Sequence, residues 1–153
     1  MKNFLIHREC QMGVGLIEVL VAVLVLSVGF LGVAAMQARA LSTNNSAMAR
    51  SMGTIASYSI LDAMRADIAY AKTGKYNGDM TGNACPTTTT TLAQVQLGQW
   101  CKQLALTFGA VASTKSNINC TATGSCVITI QFDDSRAGKG GDTAQKVVTQ
   151  AML

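Results

Sequence analysis

The chain has 153 residues, 49% of them hydrophobic and 13% charged, with a formal net charge of +4. That length holds one domain, and the composition excludes the disordered class. A charge this mild, without a basic run and with few aromatics, gives no ground for a dedicated nucleic-acid surface.

Residues 1–13 form a short, polar, slightly basic segment that carries Lys2, Arg8 and Glu9 and ends in Gly13. From Val14 to Met36 every position is apolar or small except Glu18 and Ser27, a run of 23 residues, enough to span a bilayer as a helix. An ordinary secretory signal puts its apolar stretch before the cleavage site. Here the order is reversed, so a cut after Gly13 leaves the hydrophobic helix on the product. The basic leader favours a cytoplasmic N-terminus and puts the chain beyond Met36 outside the inner membrane. On topology alone an uncleaved single-span anchor is the alternative.

Glu18 shifts that balance. A carboxylate in a membrane helix costs roughly 2.5 to 3.5 kcal/mol when central, so it requires a specific partner. Cleavage after Gly13 gives Val14 a free amine one helical turn from Glu18. Either the two charges pair within a chain, or the carboxylate of one subunit meets the amine of the next, which would set axial register during assembly.

The run Gly13-Val14-Gly15-Leu16-Ile17-Glu18-Val19-Leu20-Val21-Ala22 resembles the prepilin motif of type IV pilins and pseudopilins, with Gly before the cut and Glu at the fifth mature position. Within that superfamily, Ser27-Val28-Gly29-Phe30-Leu31-Gly32 followed by Asp62-Ala63-Met64-Arg65-Ala66 looks most like the minor pilins of the pilus-modification type. The resemblance covers residues 1 to about 68. It implies cleavage between Gly13 and Val14 by a prepilin peptidase, N-methylation of Val14, and a role for Glu18 in subunit assembly. The implied partners are other major and minor pilins, the inner-membrane pilus assembly platform, and the lipid bilayer before assembly. The implied location is the bacterial inner membrane with a periplasmic domain, then the filament at the cell surface. A minor pilin acting in pilus assembly or initiation is the implied function, and a type II secretion pseudopilin shares the same plan. A membrane-anchored enzyme or binding protein with an uncleaved anchor is the reading from another class. Two departures stand out. Val14 occupies the place where the family usually has Phe, and the segment lacks the proline of many major pilins, leaving Gly29 and Gly32 for any local melting.

Beyond Met36 the pattern turns amphipathic, with Leu41, Met48, Met52, Ile55, Leu61, Met64 and Ile68 mostly three, four or seven apart. This predicts a helix from Val14 to about Asp67. Its methionine-rich stripe is assigned to the core face, with a soft interaction surface as the alternative. Residues 71–91 shift to Gly, Asn, Thr and the single Pro86 and are expected to form a surface loop, ending in five threonines at 87–91. A plain polar loop is the ordinary reading of those threonines, glycosylation the special one. Thr91-Leu92-Ala93-Gln94 fits a capping box, and Leu97, Trp100, Cys101 and Leu104 repeat at helical spacing, predicting a short second helix. Cys126, Ile128, Ile130 and Phe132 alternate with polar or outward positions as in a half-buried strand, and Ile118 and Cys120 suggest its hairpin partner. Residues 146–153 are a third candidate strand. The expected class is α+β and pilin-like, a long N-terminal helix packed on a small antiparallel sheet: leader 1–13, transmembrane half 14–36, amphipathic half 37–68, globular domain 69–153.

Of five cysteines, Cys10 precedes the apolar run and four follow it, none in a C-x-x-C pair. An even set outside the membrane predicts disulfides rather than zinc. The five-residue turn between Cys120 and Cys126 permits a bridge there, leaving Cys85 and Cys101 to pair by exclusion. His7, the single histidine, falls in the leader, so no His-based catalytic site is expected in the mature chain. The loop acids Asp133, Asp134 and Asp142 lack EF-hand spacing and are assigned to a solvated loop, with calcium as the alternative. No cofactor, metal or enzymatic activity is expected.

Overall fold

The computed structural model describes residues 13–135 and 141–153. The leader up to Met12, with His7 and Cys10, and residues 136–140 of the glycine-rich loop lie outside them. Among the described residues three helices and four strands follow in the order α1 (Leu16–Ala66), α2 (Ile68–Lys72), β1 (Gly78–Thr81), α3 (Leu92–Phe108), β2 (Lys115–Cys120), β3 (Ser125–Phe132) and β4 (Gln145–Met152). The chain divides into two compact units between Ala38 and Arg39.

The described part of the first unit is the apolar beginning of α1. It holds a stretch long and apolar enough to cross a membrane, none of it buried. Ser27, the hydroxyl within that stretch, donates to the Leu24 carbonyl at 2.7 Å, so the helix satisfies it internally.

The second unit is α+β. Its sheet runs β1-β2-β3-β4, antiparallel throughout. Alternation puts Ile118, Cys126, Ile128, Ile130 and Phe132 on one face, all but sealed from solvent, against Ile60, Leu61 and Met64 of α1 and Trp100 and Leu104 of α3. Burying each such large apolar side chain contributes roughly 1.5 to 3 kcal/mol before the entropy of ordering it. Phe108 and Phe132 stack with ring centroids 4.4 Å apart. The Trp100 indole N–H donates to the Ala56 carbonyl at 2.8 Å, tying α3 to α1 while removing the ring's one polar group from the core's debit.

The methionine-rich stripe is not the core face. Leu41, Met48 and Ile55 are 64%, 60% and 59% exposed, Met52 is 39% exposed and Ile68 40%. Leu61 and Met64 alone of that set are buried. At about 100° per residue, Leu41, Met48, Met52 and Ile55 share an arc of roughly 60°, whose centre lies more than a quarter turn from Ile60 and Met64. The buried arc instead joins small residues, Ser46, Gly53, Ala56 and Ser57, to Ile60, Leu61 and Met64. Close approach of β4 explains why. A Cβ on Gly53 would lie 3.1 Å from Val147 Cγ2, tighter than ordinary contact.

Residues 71–91 are not wholly loop, since they contain β1, whose Met80 is buried, and Tyr76, also buried. A four-residue strand is too short to display a period, and its pairing with β2 comes from tertiary context. Asp134 departs from the solvated-loop assignment: it is 8% exposed and accepts a hydrogen bond from the Ser46 hydroxyl of α1.

Candidate functional site

The residues singled out in the sequence occupy two places. Gly13 and Val14 precede α1 in non-helical backbone, with open space around Gly13 and Val14 71% exposed. Gly15 receives the first helical bonds, its carbonyl accepting from the Glu18 N–H at 3.0 Å and the Val19 N–H at 3.3 Å. Glu18 lies in the first turn, where its negative charge faces the positive end of the helix dipole. In the uncut chain Val14 carries a peptide nitrogen. Among the described residues no hydrogen bond or ion pair engages the Glu18 carboxylate. The Gly13–Val14 bond is thus exposed, unstructured by helix, and one turn from an available carboxylate.

The four cysteines sit in the second unit. Cys85 is bonded to Cys101, at the start of the threonine-rich segment and on α3. Cys120 is bonded to Cys126 across the β2–β3 hairpin, where the two are register partners. These are the pairs that the turn length and exclusion indicated. The first bridge holds the 85–91 segment to α3 at a point where Gly98 lets backbone approach closely: a Cβ there would lie 2.7 Å from the Pro86 carbonyl oxygen. The capping box is present, with Thr91 accepting from the Gln94 N–H at 3.3 Å and Gln94 from the Thr91 N–H at 3.3 Å.

Two polar ties were missed in the sequence. One is Ser46 with Asp134, 88 positions apart. The other is Tyr76, whose hydroxyl lies 3.1 Å from the Asp67 carboxylate and also contacts the Gln96 side chain. The atom of Gln96 that it meets is the side-chain oxygen, so the single phenol proton is shared between two acceptors. Burial first, then the hydrogen bond and charge of Asp67, push the Tyr76 hydroxyl well above its ordinary pKa. Neither tie leaves a short-range signal, since each joins residues through the fold. Among the described residues no group of three His, Cys, Asp or Glu side chains is placed to hold a metal.

Comparisons with protein-family models, with curated proteins and with solved structures found no match to this chain.

Proposed function

We propose that the chain is a prepilin-like subunit, cut after Gly13, that enters a type IV pilus or related filament through its N-terminal helix, and that among such subunits it most resembles the minor pilin PilV. The reading makes it a structural subunit acting in assembly or initiation, held by the inner membrane with its disulfide-braced domain outside until it is assembled. One observation carries the proposal: an accessible, non-helical Gly13–Val14 bond stands directly before the wholly exposed apolar stretch that opens α1, whose first turn contains Glu18. Cutting at that bond creates an amine beside a carboxylate that lacks a partner in the described chain, and pairing between neighbouring subunits satisfies both charges in an apolar setting. The exposed stripe Leu41, Met48, Met52 and Ile55 supports the same reading, because it leaves an apolar face of the second unit open to a neighbouring subunit.

Glu18 therefore serves assembly more than folding. Glu18→Ala removes a costly charge from the bilayer, so insertion and cleavage persist while incorporation falls. The test is the amount of chain in sheared filaments relative to the membrane pool for wild type, Glu18→Ala and Glu18→Gln. Both variants should accumulate in the membrane and be depleted from filaments. Normal incorporation of both would show that no intersubunit pair is required.

A further inference from the structure

The face of the sheet turned away from the helices is not a plain solvated surface. It forms an open concavity of about 440 Å³ to which all four strands contribute. Register aligns its polar side chains in two adjacent rows. Lys115, Gln131 and Lys146 are successive partners across β2, β3 and β4. Asp79, Asn117 and Thr129 are successive partners across β1, β2 and β3. Alternation along each strand turns both rows to the same outward face.

The first row sets two ammonium groups on either side of one amide, two strand spacings apart, roughly 9 to 10 Å between backbones. Their four-carbon stems let both heads reach a common point above Gln131. Among the described residues neither lysine has an ion-pair partner. An anionic group between them would bind both and relieve their mutual repulsion. The second row asks for something else. Asp79 Oδ1 accepts from Asn117 Nδ2 at 2.8 Å, which orients the carboxylate and leaves it further lone pairs for a donor. The Thr129 hydroxyl and the Gln131 amide add groups able to give or take a hydrogen bond.

A simple inorganic anion would satisfy the lysines, meet repulsion from Asp79 and leave the hydroxyl and amides unused. A neutral sugar would use the second row and leave the lysines idle. We propose that this face binds an acidic sugar, with its carboxylate between Lys115 and Lys146 and its ring hydroxyls on Asp79, Asn117 and Thr129. The cavity falls within the roughly 300 to 1,000 Å³ of small-molecule sites, and its openness admits a terminal residue of a longer glycan. This assignment does not depend on the pilus reading.

The experiment is calorimetric titration of the full chain in detergent micelles with D-glucuronate, D-glucose and acetate. Glucuronate should bind saturably and at least about tenfold more tightly than either of the others, since only it engages both rows. Lys115→Ala and Lys146→Ala should each weaken glucuronate about tenfold, as loss of a hydrogen bond to a charged group does. Asp79→Asn should weaken glucuronate yet strengthen acetate, a reversal that general loss of fold does not produce. Lys102→Ala, an exposed lysine on α3, should change nothing. Equal binding of acetate and glucuronate, equal loss in Lys102→Ala, or a response that never saturates would each overturn the proposal.

Discussion

Tyr76 is the clearest single-residue anchor outside the apolar core. Its ring is buried, and its hydroxyl joins Asp67, at the break between α1 and α2, to Gln96 on α3. Because the folded protein holds the phenol above its ordinary value near 10, unfolding lets it ionise more readily. The stabilisation is therefore fully present below pH 10 and is lost as pH rises through the folded value. Alkaline unfolding of the full chain in detergent, followed by fluorescence of Trp100, should show wild type losing stability above pH 10 more steeply than Tyr76→Phe. Below pH 9 the gap between the two should be constant. Parallel pH profiles for both proteins would remove Tyr76 as the cause.

Among the elements, the two disulfides brace different things. The Cys85–Cys101 bridge closes a separation of 16 residues and Cys120–Cys126 one of 6. In the chain-entropy model those loops correspond to about 3 and about 2 kcal/mol respectively. Replacing Cys85 and Cys101 by serine should lower the unfolding midpoint more than replacing Cys120 and Cys126, measured on oxidised protein. The reverse order would mean that hairpin packing around the buried Cys126 outweighs the loop term.

The exposed face of α1 gives a second prediction at this scale. Met48 and Met52 lie on the solvent side of the helix, so Met48→Glu and Met52→Glu should leave the domain's unfolding free energy within about 0.5 kcal/mol of wild type. Under the proposed assembly they should reduce the chain's share in sheared filaments. Unchanged incorporation would show that this stripe faces no neighbour.

What could be seen in the sequence followed from how local each signal was. The long apolar run, the capping box at Thr91, the alternation of β3 and the β2–β3 hairpin depend on neighbours a few residues away, and the structure contains each of them. The second helix extends over Leu92–Phe108, longer than the periodic residues alone indicated. Helical periodicity misassigned the core face of α1, because hydrophobic content cannot distinguish a face that packs from one left open. β4 comes so close at Gly53, and Trp100 of α3 at Ala56, that two residues weak in any hydrophobic pattern mark the packed face. β1 and the buried Asp134 were hidden for a related reason, since both owe their place to residues distant in the chain.

At the scale of the whole molecule, the chain carries an exposed apolar helical stretch and an α+β domain with two internal bridges. The helix by itself is compatible with a retained anchor, with a signal removed behind its apolar stretch, and with a prepilin cut ahead of it. These three leave different N-termini. Intact-mass analysis of the native chain from the membrane fraction, with sequencing of its first residues, distinguishes them directly. The proposed function predicts a mature chain beginning at Val14 with the apolar helix retained and the four domain cysteines oxidised. A native chain beginning at Met1, or one beginning beyond Met36, would contradict it.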